Sequence, residues 1–147
     1  MKSMDTIRAE RRELAQSRPR VIFNNDGCDI LYYPKDKPVT PEGFLARRTT
    51  GLIDKEVTTL SYCTISSGFS YFTHNTRIGT VMTKDMDSPT TINATAGLLA
   101  QGHDPLQIIV DFAQQHGLEC FWSFRMNDTH DSIHRPDKPC KLFPPLK

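Results

Sequence analysis

The chain has 147 residues, of which 37% are hydrophobic and 24% are charged, with 18 basic and 17 acidic residues. This length supports one domain with a buried core, and the composition is that of a globular protein rather than a disordered or fibrous one. The net charge of +1 argues against nucleic-acid binding, which usually needs a strongly basic surface. No apolar run approaches the ~20 residues of a membrane span, so we expect no membrane partner.

The first predicted element is a helix over residues 4–17. Its main large apolar residues are Ile7 and Leu14, charged residues occupy the remaining faces, and Pro19 ends it. We therefore assign residues 1–19 as an N-terminal helical extension. No signal peptide is visible in this charged segment, so a cytoplasmic location is the default expectation.

Three short segments, residues 20–24, 57–64 and 118–124, have the apolar and β-branched composition of buried strands. A helix is predicted between the first two, with Thr40 as its N-cap, and it runs to about Leu52. The segment 66–91 is long and polar and has no clear periodicity, which is typical of a functional or disordered loop.

The strongest local signal predicts a helix over residues 104–116. Asp104 and Pro105 form an N-cap and first helical position, Gln107 is placed for a capping box, and Gly117 provides a left-handed stop. Its apolar residues recur with helical spacing on one buried stripe: Leu106, Ile109, Val110 and Ala113.

Alternating strands and helices predict an α/β fold with a parallel sheet and right-handed crossovers. In the third strand the apolar residues share one parity, and we expect them to face helices: Leu118, Cys120, Trp122, Phe124 and Met126. The other parity becomes polar towards the end of the strand. This pattern favours the first three parallel strands and connecting helices of a partial (β/α)8 TIM barrel, with residues 20–147 as its N-terminal portion. Trp122 is predicted to lie in the core.

The cysteines and histidines predict no metal or cofactor. The four cysteines are widely spaced without a CxxC pair, so we interpret them as reduced structural residues. His130 and His134 have a spacing that suits two ligands on one helix face, but no third ligand stands at a recognisable spacing.

Polar residues follow each predicted strand, and the carboxyl ends of parallel strands meet at one edge of a sheet. Carboxylate, amide and guanidinium groups there suit a ligand rich in hydroxyl groups. The candidate binding residues in these clusters are Asn25, Asp26, His74, Asn75, Arg125, Asn127 and His130. We expect Arg125 to organise nearby carboxylates. Several alternatives stay open: a plain turn at 24–27, a helix-capping role for Asp128 or Asp131, a surface position for His74, and a structural ion pair for Arg125.

Four segments resemble bacterial glycoside-hydrolase-like TIM-barrel proteins of a family-ten-like group. They are FNNDG at 23–27, FTHNT at 72–76, QGHDPLQ at 101–107 and, most specifically, FWSFRMNDTHD at 121–131. The resemblance implies a (β/α)8 barrel that binds or acts on carbohydrate, with Asp128 and Asp131 as the local acid/base candidates.

A whole barrel of this kind needs about 250 residues, so the resemblance implies a truncated barrel that lacks its later strands. Glycoside hydrolysis requires two carboxylates roughly 5–9 Å apart, and later strands usually supply them. The alternatives are a non-catalytic carbohydrate-binding or truncated product, and a metal-dependent hydrolase that uses His74, His130 and His134. An incomplete barrel also predicts self-association through an open sheet edge.

Overall fold

The fold alternates short strands and helices. The computed structural model describes residues 2–17, 20–65, 70–86 and 88–126. In chain order the elements are α1 (Met4–Ser17), β1 (Ile22–Asn25), α2 (Cys28–Leu31), β2 (Tyr33–Pro34), α3 (Pro41–Leu45), a 3₁₀ turn (Thr50–Leu52), β3 (Thr59–Cys63), β4 (Tyr71–Phe72), β5 (Thr80–Val81), β6 (Thr91–Ile92), α4 (Thr95–Ala100), α5 (Pro105–Gln115) and β7 (Glu119–Ser123).

The three predicted strands form one parallel sheet in the order β1–β3–β7. Ile22 lies opposite Thr59, and Thr59 lies opposite Glu119, so all three strands start level. The predicted parallel arrangement is confirmed, and the protein has a mixed α/β fold. At the amino-terminal ends of these strands, the Glu119 carboxylate accepts hydrogen bonds from the Arg20 guanidinium (3.2 Å) and from the Thr59 hydroxyl (2.9 Å).

The α5 helix forms where the capping residues predict it. The Asp104 carboxylate accepts from the backbone N–H groups of Leu106 and Gln107 at 2.9 and 3.2 Å, and Gly117 adopts φ +66° after the last turn. Gln107, which the sequence places for a capping box, donates its side-chain N–H to Asp111 at 2.7 Å along the exposed side of the helix.

The α3 helix starts as predicted but ends early. The Thr40 hydroxyl accepts from the Gly43 N–H at 3.0 Å, yet the helix stops at Leu45 instead of about Leu52. The intervening Thr49-Thr50-Gly51 consists of residues with weak helix propensity, and a 3₁₀ turn there lets Leu52 reach the core.

The prediction of a long loop at 66–91 is wrong for its described residues. β4 and β5 pair in parallel, and β6 pairs antiparallel with the distant β2. Phe72 and Met82 are buried, so this segment contributes to the packed interior. Strands of two residues are too short to show a sequence period.

The core lies on one face of the sheet. Leu60 and Tyr62 of the central strand are fully buried there, with Cys120 packed beside them. The helices cover this face with Ile30, Leu31, Phe44, Leu98 and Ile109. On the opposite face Ile22 is 55% exposed and Phe121 is 43% exposed. The predicted helix-facing parity is confirmed for Cys120, but the prediction that Trp122 lies in the core is wrong, because Trp122 is 46% exposed.

The α1 helix has the predicted bounds and lies largely in solvent. Leu14 is exposed and lines a cleft of about 590 Å³ beside Cys120 and Phe121. The assignment of residues 1–19 as an extension separate from the rest of the chain stays a prediction. Within the described residues, no helix is both long and apolar enough to cross a membrane.

Candidate functional site

The ends of β1, β3 and β7 meet at the carboxyl edge of the sheet, as their parallel directions require. Gly27, just after β1, contacts the backbone that follows β3 at Cys63 and Ile65. From β7, the Trp122 indole N–H donates to the Thr64 hydroxyl at 2.9 Å. The carboxyl ends of three strands that are distant in the chain therefore lie next to one another.

Asp26 forms an ion pair with Arg48 at this edge, with 2.6 Å between carboxylate and guanidinium. The same carboxylate oxygen accepts the Cys28 N–H at 3.0 Å. Burial raises the pKa of Asp26, but the Cys28 N–H and the Arg48 charge lower it by more, so the pKa lies below its usual value of 3.8. Asp26 is therefore ionised at neutral pH, and both members of the pair remain partly exposed to solvent.

Arg125 lies near the same turn and is half-buried. Burial and the Asp26 charge raise the pKa of the Cys28 thiol to about 11, while the charges of Arg48 and Arg125 act in the opposite direction. The Arg48 guanidinium thus contacts the turn after β1, and the charge of Arg125 acts on the same turn. The ion pair of Asp26 is made with Arg48, a residue that the sequence did not single out, because 22 positions separate the two residues.

A buried hydrogen-bond network lies beneath this ion pair, and the sequence did not reveal it. Asp29 accepts from the Tyr62 hydroxyl (3.0 Å), the Asn25 amide (2.9 Å) and the Ile30 N–H (3.0 Å). Burial raises the pKa of Asp29, and these donors lower it in part. Burial likewise raises the pKa of Tyr62 well above 10. The network joins the end of β1 to the centre of β3.

Asn25 belongs to this internal network. Its side-chain oxygen accepts the Gly27 N–H at 3.0 Å, its nitrogen donates to Asp29, and the residue is buried. The structure thus gives Asn25 a structural role in the turn, and its role as a ligand-binding residue stays a prediction without exposed atoms to support it. Asp26, by contrast, faces solvent from the same turn.

Four rings form an aromatic cluster on the β7 side of the edge: Phe72, His74, Trp122 and Phe124. Phe72 is buried and lies within 5.3–6.4 Å of the other three ring centroids. Trp122 and Phe124 are each 46% exposed, and their centroids are 5.4 Å apart. His74 adjoins Trp122 at 5.9 Å. β4 and the residues that follow it therefore meet β7 at the carboxyl edge.

Asn75 follows His74 of this cluster and links it to the start of α5. The Asn75 N–H donates to the Asp104 carboxylate at 2.8 Å, which fixes the loop to the helix, and the Asn75 side chain is exposed. The Nδ1 atom of His74 is buried and has no hydrogen-bond partner among the described residues. Burial lowers the pKa of His74 below 6.5, and the Asp104 charge offsets this in part.

This arrangement predicts a pH-dependent contribution of His74 to stability. As the pH falls, His74 takes up its proton at a higher pH in the unfolded chain than in the folded chain, and this favours unfolding. The contribution of neutral His74 to stability is therefore complete above pH 6.5, and it is lost as the pH falls from 6.5 through the lower pKa of the folded state. We expect His74→Phe, which keeps a ring in the cluster, to lose less stability than the parent over that pH range. Urea unfolding at a series of pH values measures this, with the exposed His103→Gln as the control. An unchanged pH slope in His74→Phe would contradict it.

The remaining predicted site residues, Asn127, Asp128, His130 and Asp131, lie outside the described residues, as does His134. Across residues 2–126, apart from the gaps at 18–19, 66–69 and 87, no group of three or more His, Cys, Asp or Glu side chains is placed to hold a metal ion. Cys28, Cys63 and Cys120 are reduced thiols.

Comparison with protein-family models, with curated proteins and with solved structures gave no match to this chain. The resemblance to glycoside-hydrolase-like barrels therefore stays a prediction from the four sequence segments. Any function has to be argued from the geometry of the carboxyl edge.

Proposed function

We propose that this chain belongs to a glycoside-hydrolase-like (β/α)8 barrel and that it binds carbohydrate, or acts on it, at the carboxyl edge of its sheet. The observation that carries the proposal is the composition of this edge. A partly exposed Asp26–Arg48 pair, the guanidinium of Arg125 and two half-exposed aromatic rings all belong to this edge.

These groups match the chemistry of a sugar. An ionised carboxylate accepts hydrogen bonds from two hydroxyl groups, and a guanidinium donates several in a fixed plane. Asp26 and Arg48 already orient each other, so a hydroxyl-rich ligand meets acceptors and donors in a prepared arrangement. Aromatic rings cover the apolar face that a pyranose ring presents between its hydroxyl groups.

The barrel part of the proposal is supported by strand order and by the coverage of the sheet. The three strands β1, β3 and β7 are all parallel, and their order in the sheet is their order in the chain. The α5 helix packs on β7, and α3 packs on α5. The other face leaves Ile22 and Phe121 exposed. In a closed barrel that face becomes the packed interior. A doubly wound sheet would instead cover it with further helices.

Catalysis is proposed less specifically than binding. Among the described carboxylates at this edge, Asp26 is held ionised by Arg48 and Asp29 is buried in its network. Hydrolysis needs one carboxylate and one carboxylic acid facing the same bond. Asp128 and Asp131 are our candidates for these roles. Release of an aryl group from aryl glycosides tests this step separately from binding.

A binding titration tests the proposal directly. Trp122 is the single tryptophan of the chain and lies at the carboxyl edge, so its fluorescence reports a ligand there. We would titrate the chain with short linear oligosaccharides of glucose, xylose, mannose and N-acetylglucosamine. For the sugar that binds, we expect Asp26→Asn to weaken affinity by about tenfold, because hydrogen bonds to a charged acceptor are lost.

The matched control is Asp36→Asn, which removes an exposed carboxylate from the turn after β2. An exposed ion pair contributes less than ~1 kcal/mol, so Asp26→Asn should fold, and circular dichroism checks this. Failure of every sugar to bind, or equal affinities for the parent and Asp26→Asn, would overturn the proposal.

Self-association is a separate proposal. Within the described residues β1 and β7 each pair along one side, and an open strand edge can template association with another chain. Analytical ultracentrifugation over a range of concentrations tests it, and a monomer throughout would contradict it.

A further inference from the structure

We propose that Trp122 and Phe124 form a stacking subsite for one pyranose ring of a neutral sugar. This inference rests on the proposed function and adds to it the part of the ligand that the aromatic cluster would recognise. The two rings are the exposed members of the cluster, each 46% exposed although each packs on the buried Phe72.

The shape of the pair suits a saturated ring better than a flat one. The ring planes of Trp122 and Phe124 are inclined at 78° with centroids 5.4 Å apart, so the two rings form a nearly right-angled corner. A pyranose ring is thick and carries C–H groups on its face and at its rim. It contacts both surfaces at once, whereas a flat aromatic ligand contacts one face and leaves the other uncovered.

The Trp122 ring of this corner is held in place before any ligand binds. The Trp122 indole N–H donates to Thr64 at 2.9 Å, and His74 stands against the ring at 79° with a centroid distance of 5.9 Å. A tryptophan that is already fixed loses little conformational freedom on binding, so the stacking contact is not offset by the entropy of ordering the ring.

The polar surroundings indicate a neutral sugar rather than a purely apolar ligand. The Asp26–Arg48 pair and Arg125 lie at the same edge, beyond the Gly27 turn that touches the backbone beside Thr64. Charges of both signs next to an apolar corner match a ligand whose hydroxyl groups surround an apolar face. A sugar can use these donors and acceptors through its hydroxyl groups without carrying a charge itself.

Substitution of the two rings tests the subsite, using the sugar identified by titration of the parent and isothermal calorimetry as the readout. We expect Trp122→Ala and Phe124→Ala each to weaken binding by about tenfold, and Trp122→Phe to retain most of the affinity. The matched control is Phe121→Ala, because Phe121 is 43% exposed on the opposite face of the same strand. It should bind like the parent, and thermal melts confirm that each variant is folded.

The outcomes separate this inference from the proposed function. If Asp26→Asn weakens binding while the folded Trp122→Ala and Phe124→Ala variants bind like the parent, the edge binds sugar without this subsite and the inference is overturned. The same holds if Phe121→Ala loses as much affinity, or if adenosine or indole occupies the corner in place of every sugar tested. If the parent binds no sugar at all, both proposals fail together.

Discussion

Replacing Gly27 with alanine is expected to lower the free energy of unfolding by roughly 3 kcal/mol, the largest effect of any single methyl group that we foresee. Gly27 has φ +77°, a left-handed conformation that costs an L-residue about 1–2 kcal/mol. The added Cβ would also overlap the carbonyl oxygen of Cys63. Backbone cannot move aside as a flexible side chain does, and overpacking of this kind costs roughly 1–3 kcal/mol.

Two other glycines separate these causes in urea unfolding. Gly102 has φ +82° but no described atom within 4 Å of an added Cβ, so Gly102→Ala should show the conformational cost alone, about 1 kcal/mol. Gly51 has neither a left-handed φ nor a close neighbour, so Gly51→Ala should be nearly neutral. If Gly27→Ala unfolds at the same urea concentration as Gly102→Ala, the contact between the β1 turn and the end of β3 is not as described.

Removal of the Asp29 carboxylate is the other change for which we expect a large effect. Asp29→Ala leaves the Tyr62 hydroxyl and the Asn25 amide buried with their acceptor gone. Each unsatisfied buried group costs about 1–3 kcal/mol, so we expect a loss of roughly 3 kcal/mol in the free energy of unfolding. The control is Asp111→Ala, an exposed carboxylate that accepts one surface hydrogen bond from Gln107. It should change stability by less than about 0.5 kcal/mol.

A double-mutant cycle identifies the cause. In a Tyr62→Phe background the hydroxyl is already absent, so Asp29→Ala should cost about 1 kcal/mol less than it does in the parent. Additive losses would show that Asp29 and Tyr62 do not interact. A loss from Asp29→Ala as small as that from Asp111→Ala would show that the network contributes little to stability.

The sequence predicts elements whose determinants lie close together in the chain. The α5 helix is specified by Asp104, Pro105 and Gly117, all within two residues of its ends, and the three sheet strands are apolar runs bounded by turn residues. The β2–β6 pair escaped prediction because two-residue strands have no period. The early end of α3 depends on where Leu52 packs, which is a tertiary effect.

Some residues of the candidate site could also be predicted from the sequence, and others could not. Asp26, His74 and Arg125 were found because polar residues directly after a strand fall at the edge where parallel strands end. Arg48 follows a short helix, and Asp29 begins an apolar run, so neither stands out until the fold brings it to its partner. Parity placed Trp122 on the helix-facing side, where it aligns with Tyr62, but parity does not reveal how far the covering helices reach.

The pairing of distant segments has a consequence for how the chain folds. None of the described strand pairs is a hairpin: Ile22 pairs with Thr59, Thr59 with Glu119, and Tyr33 with Ile92. Each of these three pairings must close a long loop before it gains any contact, whereas the parallel β4–β5 pair closes a much shorter one. Chains rich in long-range contacts fold slowly. During synthesis, β3 has only β1 beside it until Ser123 has left the ribosome. The central strand therefore stays exposed on one side while the 60 residues from Thr64 to Ser123 are synthesised, which is when we expect this chain to depend most on a chaperone.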